Sequence, residues 1–334
     1  MSPMARVAAV AYGAAVRGMA RTSPSLCAPI PVIAVGNITA GGTGKTPVVR
    51  WCAQWLVDRG LHPVVALRGY RARHGQSDEA MEYQALLPGV PVAVGPNRAE
   101  SIQAALATHP QVNCAVLDDA FQHRRLAREL DIVLVDATRP GLEGPLLPAG
   151  WLREPASGLQ RAGVVVVTRA RAVDPALSAL IERWHGRPPA AWCTHTWSQL
   201  DVFTCAPGQQ PVHRSEPLAA LRGRPVVAAA ALGNPQPFLD ALRESGARVR
   251  AERVRRDHAP YGPAEAAALR QLAAQHQSWI ATTWKDWTKL GHALSQDSSG
   301  GEVTVVVPRV QIGFLAGQHE IEASLAKAVA TARR

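Results

Sequence analysis

Short apolar runs alternate with stretches of helical periodicity through the first half of the chain. Strands are predicted at residues 32–35, 64–67, 92–94, 114–117, 132–135 and 164–168, where Val, Ile, Leu and Ala dominate. Between them, residues 47–59 and 98–108 repeat apolar positions at helical spacing. Nearly unbroken apolar strands with intervening helices predict an α/β fold, a mostly parallel sheet covered by helices on both faces. The pattern weakens from 170 to 224, where Pro, Gln and Trp accumulate, and resumes with Pro225-Val226-Val227-Ala228-Ala229-Ala230-Ala231 and the turn Gly233-Asn234-Pro235. Further strands are expected at 278–283 and 303–307, and a last helix at 320–332. This divides the chain into an apolar N-terminal helix (1–25), a core (26–185), a connecting region (186–224) and a smaller C-terminal α/β domain (225–334), whose last helix is free to pack back on the core.

The stretch around Val7–Val16 is apolar, with Arg6, Arg17 and Arg21 near it. It is too short to span a bilayer. A secretion signal, an interfacial helix lying among lipid headgroups and a helix packed on the protein core all fit the pattern, the interfacial helix best. Net charge is +10, carried almost wholly by arginine, since the lysines are only Lys45, Lys285, Lys289 and Lys327. Compositional bias accounts for this as well as an anionic partner does. Arginines cluster at 68, 71 and 73, at 124, 125 and 128, and at 253, 255 and 256, without interleaved stacking aromatics, which argues against nucleic acid. The five cysteines are scattered with no Cys-x-x-Cys pair, so neither a disulfide framework nor a zinc site is indicated.

Candidate chemistry starts where the first strand ends. Gly36-Asn37-Ile38-Thr39-Ala40-Gly41-Gly42-Thr43-Gly44-Lys45-Thr46 follows that strand and precedes a helix. This is the layout of a phosphate-binding loop, or P-loop: backbone N–H groups cradle phosphates, Lys45 reaches the β- and γ-phosphates, and the Thr46 hydroxyl suits Mg²⁺. Thr39 stands where the common spacing has glycine, and Ala40 where some ATPases carry a lysine. Asn37, Thr39, Ala40, Gly41, Gly42, Thr43, Gly44, Lys45 and Thr46 are therefore the nucleotide-holding candidates. A second apolar run ends in Asp118-Asp119, a Walker B arrangement that with Thr46 would hold the metal. The polar stretch Phe121-Gln122-His123-Arg124-Arg125 follows directly.

These segments in register make the chain resemble the tetraacyldisaccharide 4′-kinase family, the ATP-dependent kinase of lipid A biosynthesis. The run 31–47 looks like that family's P-loop, and Leu117-Asp118-Asp119-Ala120-Phe121-Gln122-His123-Arg124 resembles its Asp-Asp-Gly-Phe-Gln-His-Arg motif, with Ala120 for the glycine. Arg68-Gly69-Tyr70, Ser77-Asp78-Glu79, Leu147-Pro148-Ala149-Gly150, Arg153-Glu154, Asp257-His258 and Thr283-Trp284-Lys285-Asp286 follow in the family's order, Trp284 replacing its usual acid. The resemblance implies a P-loop NTPase-like fold and transfer of the ATP γ-phosphoryl group to the 4′-hydroxyl of a tetraacyl glucosamine disaccharide 1-phosphate, with Mg²⁺. It also implies peripheral attachment to the anionic cytoplasmic face of a bacterial inner membrane, and no nucleic acid. Matching the motifs, Asp78 is the candidate general base, His258 its orienting partner and Lys45 the phosphate-binding cation, while Arg98, Gln122, His123 and Arg153 are candidates for the acceptor. The rival readings are a P-loop ATPase or GTPase switch or metal-delivery factor, a kinase of a soluble small molecule, and a non-enzymatic membrane-surface protein. A GTPase wants Asn-Lys-x-Asp after a late strand, and the strand ending at 168 runs instead into Thr168-Arg169-Ala170-Arg171.

Overall fold

In this computed structural model, which describes residues 26–69, 77–256, 259–298 and 300–331, the apolar runs become strands buried on both faces. The expected N-terminal helix, together with Tyr70, Arg71, Arg73, Asp257 and His258, lies outside the described residues. The chain divides into two units, one formed by Met1–His195 with Ile312–Arg334 and one by Thr196–Gln311.

The first unit is built from β1 (Val32–Asn37), α1 (Lys45–Val57), β2 (Pro63–Leu67), α2 (Asp78–Leu86), β3 (Val92–Val94), α3 (Arg98–Thr108), β4 (Cys114–Asp118), β5 (Leu130–Asp136), β6 (Val164–Thr168) and α4 (Pro175–His185). Its strands pair in parallel in the order β6-β5-β1-β4-β2-β3. Side chains alternate across the pleat, so each strand feeds two cores. On one face Ile33 and Val35 pack with Val49, Cys52 and Leu56 of α1; on the other Val32 and Ala34 pack with Ile102 of α3. Burying one such aliphatic side chain is worth roughly 1.5–3 kcal/mol. Register matters for the site: Val35 lies opposite both Asp118 of β4 and Ile132 of β5, so the carboxyl ends of the three strands open side by side.

The second unit takes over within β7 (Ala191–Cys205) and continues through β8 (Val212–Glu216), β9 (Pro225–Ala230), α5 (Gln236–Glu244), β10 (Arg248–Val254), α6 (Pro263–Gln275), β11 (Trp279–Ala281), α7 (Trp284–Gln296) and β12 (Val303–Ala316). β10, β9, β11 and β12 pair in parallel in that order, and β8 pairs antiparallel with β7. Val227 and Ala229 face a core shared with α6 and α7, while Val226, Ala228 and Ala230 face Phe238, Leu239 and Leu242 of α5. The region expected as a connection, 186–224, therefore holds two strands, and β10 has no counterpart in the hydrophobic pattern. β10 is a sheet edge whose arginines and Glu252 stay exposed, which hides it from a search for apolar runs.

The closing helix α8 (Gln318–Thr331) belongs to the first unit, where Ile321, Leu325 and Ala328 join the core containing Ile33 and Ile132. Trp284, where the resembled family has an acid, donates its Nε1–H to buried Asp201 at 3.1 Å and sets its ring edge-on to Phe203. Here the position serves packing within the second unit.

Candidate active site

The loop after β1 wraps a cluster of charge at the carboxyl ends of β1 and β4. Gly36 lets the loop pass the following segment closely, since a Cβ there would lie 2.7 Å from Phe121 Cβ and 2.8 Å from its N. The Asn37 amide donates to Thr39 O (2.7 Å) and Thr39 Oγ1 (3.3 Å), and its Oδ1 accepts from Lys45 Nζ (3.3 Å). Thr39, at the position that usually holds glycine, is buried and bridges to Leu152, while Ala40 N–H donates to Trp151 O. These main-chain bonds tie the loop to the 146–153 segment, while the Thr39 side chain itself adds only the hydroxyl that accepts from Asn37. Gly44 adopts φ +77 and opens α1. Thr43 Oγ1 is buried with no hydrogen-bond partner among the described residues.

Asp119 receives Lys45 Nζ at 3.4 Å and both its oxygens accept from Arg153 Nη1 at 2.9 Å. Burial would raise its pKa, but Lys45 and Arg153 outweigh burial and hold the carboxyl below its ordinary value. Asp118 behaves oppositely. Burial raises its pKa against the pull of Lys45, and Asp119 adds to the rise. Its Oδ2 accepts from the Tyr83 hydroxyl at 2.9 Å, and its Oδ1 is buried without a partner among the described residues. Burial, and then Asp118, keep the Tyr83 phenol protonated and donating. The two acids thus split into an ion-paired one and one with a buried oxygen that has no partner among the described residues. Positive φ in this turn falls on Asp119 (49°), not on Ala120, so alanine replaces the family's glycine without strain.

The same turn is braced from below. Gln122 Nε2 donates to Asn37 O and to Glu154 Oε1, each at 2.8 Å, and buried Glu154 is also paired with Arg161 (2.8 Å) and Arg124 (3.3 Å). Gln122, expected at the acceptor, is placed where its amide holds the loop to β1. Arg98 is buried at the first position of α3, where a cation opposes the helix dipole, and its Nη1 donates to Gly95 O. Burial lowers its pKa, and Asp118 and Asp119 counter that. His123 has its pKa lowered by burial and then by Arg98, Arg128, Arg125 and Arg68. Arg98 and Arg153 therefore place two cations beside the two acids, suited to a phosphate, and His123 stands by Arg98 as an uncharged hydrogen-bonding group.

Asp78 is the first residue of α2, capped by Ser77, whose hydroxyl accepts from Ala80 N–H at 3.1 Å. The helix that carries Asp78 is the one whose Tyr83 reaches Asp118. His258, and with it the expected pairing to Asp78, lies outside the described residues. The sequence reading missed Tyr83, Glu154 as the hub of the brace, and Arg169 and His195 beside the loop. Each acts through contacts 30 or more residues away in sequence or through packing that no local spacing signals. No described helix is long and apolar enough to cross a membrane.

A family model described as tetraacyldisaccharide-1-P 4′-kinase matches residues 1–330. The tetraacyldisaccharide 4′-kinase of Anaeromyxobacter dehalogenans strain 2CP-C is 37% identical over 325 residues, covering 91% of this chain and 83% of the relative. That of Geobacter metallireducens is 36% identical over 314 residues, with 87% and 86% covered, and that of Chlorobium limicola 30% identical with 98% of each chain covered. Among solved structures, LpxK from Aquifex aeolicus in complex with ATP superposes with a TM-score of 0.68 at 22% identity, covering 96% of this chain and 97% of that one, a likeness of fold.

Proposed function

The chain belongs to the tetraacyldisaccharide-1-P 4′-kinase family, and we propose from that membership and the site's geometry that it transfers the ATP γ-phosphoryl group to the 4′-hydroxyl of a tetraacyl disaccharide 1-phosphate in lipid A biosynthesis. The observation that carries the proposal is the convergence of Lys45, Asp118, Asp119 and Arg153 at the carboxyl ends of two adjacent parallel strands, where α/β folds bind their ligands.

Phosphoryl transfer needs positioning and charge stabilisation more than covalent help from the protein. The loop N–H groups of 41–44 and the α1 N-terminus receive the β-phosphate, and Lys45 exchanges Asp119 for phosphate oxygens. Asp118 Oδ1, Asp119 and the Thr46 hydroxyl form an oxygen-donor set that suits Mg²⁺, which when bound supplies charge neutralisation of the phosphates. Asp119 takes this role once Lys45 turns to the phosphates and Arg153 to the acceptor, since both now hold its oxygens. Asp78 takes the proton from the attacking hydroxyl, and the motif match supports His258 as the residue that holds Asp78 in its reactive state. Arg98, His123 and Arg153 receive the acceptor's anionic part. The acylated acceptor and the arginine-rich composition support peripheral work at an anionic membrane surface.

The test is γ-labelled ATP with a tetraacyl disaccharide 1-phosphate in detergent micelles. Label in the lipid is the expected outcome; ATP hydrolysis without transfer would favour an ATPase switch. Asp78→Ala should lower turnover by about 10²–10⁴-fold while leaving ATP affinity nearly unchanged. The Asp78→Ala/His258→Ala double variant should lose little more than the worse single variant, as residues acting as one unit do. An equal loss of ATP affinity in Asp78→Ala would move Asp78 to the metal.

A further inference from the structure

Charge in the second unit is unevenly placed. Residues 222–224 and 243–256 carry eight arginines and two glutamates, whereas the rest of 196–311 carries five lysines and arginines and eight carboxylates. A composition bias spread along the chain does not segregate charge in this way. The fold shows which of these arginines act together. β10 ends the strand order, and its start is joined to the turn before β9: Gly223 N–H donates to Gly246 O and Arg248 N–H to Arg224 O, each at 2.8 Å. Gly246 holds φ +82, and a Cβ on it would stand 3.5 Å from Arg222 Cα, so the two segments lie in close contact. Arg248 and Arg250 are both exposed on β10, with half-buried Val249 between them. Arg222, Arg224, Arg248 and Arg250 are thereby gathered at one corner, all exposed.

The neighbouring arginines are already neutralised. Arg243 pairs with Asp240 and Glu252, and Arg253 and Arg255 share Glu265. The four at the corner have no acidic partner among the described residues. Arg224 lies over the Trp279 ring at 4.1 Å, which fixes the stem of one of them. Charge on an edge strand commonly serves to prevent pairing with another chain. That role needs charge on the strand alone, yet two of these four arginines come from the turn before β9. Exposed guanidinium groups with no competing carboxylate suit phosphate oxygens, which they grip with paired N–H donors. A bilayer of anionic lipid presents such phosphates side by side, matching four cations held at one corner. We propose that this corner of the second unit is a docking surface for anionic lipid headgroups, separate from the phosphate loop and from the apolar N-terminal sequence. The choice of lipid as occupant rests on the kinase reading, whose proposed acceptor carries acyl chains.

The experiment measures binding of the full chain to phosphatidylglycerol and to phosphatidylcholine vesicles by cosedimentation, from about 0.05 to about 0.5 M salt. The Arg222→Gln/Arg224→Gln/Arg248→Gln/Arg250→Gln variant should bind phosphatidylglycerol about tenfold more weakly at about 0.1 M salt, with a flatter salt dependence. Its binding to phosphatidylcholine and to Mg·ATP, and its phosphate transfer in detergent micelles, should match the wild type. The same four arginines changed to Lys should retain most of the phosphatidylglycerol binding, because the charge is kept. A loss as large with Lys as with Gln would assign the effect to arginine packing, such as Arg224 on Trp279, and overturn the docking surface. Unchanged phosphatidylglycerol binding in the Gln variant would overturn it too. If that variant instead lost binding only to soluble polyglutamate, the corner would belong to an acidic protein partner rather than to lipid. A wild type that fails to phosphorylate the lipid, while the Gln variant still loses its hold on vesicles, would overturn the kinase reading and leave the surface standing.

Discussion

Asp118 is held where its own charge is a cost. It is buried, one oxygen is spent on Tyr83, and the other is buried without a partner among the described residues. A carboxyl whose pKa is raised on folding contributes its full stability below the unfolded pKa and loses it as pH rises through the folded one. Asp118→Asn removes the charge and keeps an oxygen able to accept from Tyr83. It should therefore stabilise the nucleotide-free protein by about 1 kcal/mol near neutral pH, about 2 °C in melting temperature for a chain of this size. The difference should shrink as pH falls through the Asp118 titration, and the variant should gain less from Mg·ATP than the wild type and lose transfer activity. Thermal melts across pH, with and without Mg·ATP, check all three; an equal Mg·ATP gain in both proteins would remove Asp118 from the metal set. Residues such as Lys45 and Gly44 are legible in sequence because the loop's backbone chemistry demands them in a fixed local spacing. Tyr83, Arg169 and His195 are not, since each is defined by a partner that only the fold brings near.

At the level of elements, legibility follows burial on both faces. The strands of the first unit are sandwiched between helices, so their sequences are apolar throughout and β3 and β6 appear in the pattern at their true limits. α3 was equally plain, from 98 to 108. β7 and β8 escaped because their residues are mixed, with Asp201 buried at the centre and held by Arg309, His213 and Trp284. β10 escaped because its side chains are largely exposed. α8 was visible as a helix, but not which unit it stabilises. Leu325 is fully buried in the core that backs the phosphate loop's strand. Leu325→Ala should cost about 2–5 kcal/mol in denaturant unfolding and lower the apparent ATP affinity only as far as the folded fraction falls. A loss below about 1 kcal/mol would mean that the helix is not part of that core's cooperative unit.

For the molecule as a whole, the last question is what an arginine-rich chain with a net charge of +10 meets at work. The proposed acceptor carries acyl chains and an anionic sugar phosphate, and on that proposal enzyme and substrate meet at a lipid surface. Two terms contribute to binding there. On that proposal the apolar sequence from Val7 to Val16 would supply a hydrophobic term, and the arginines would supply an electrostatic one with a reach set by the Debye length, about 10 Å at 0.1 M salt. The two terms answer to different experiments. Raising salt from 0.05 to about 0.5 M should weaken binding to phosphatidylglycerol vesicles in the full chain while leaving a residual, salt-resistant fraction. Deleting residues 1–21 should abolish that fraction and keep the salt-sensitive one. Phosphate transfer to the lipid acceptor should fall in parallel, whereas ATP binding, which depends on a loop that begins at Gly36, should not change. If the truncated chain kept both its salt-resistant vesicle binding and its activity, the first residues would be packing on protein rather than on lipid.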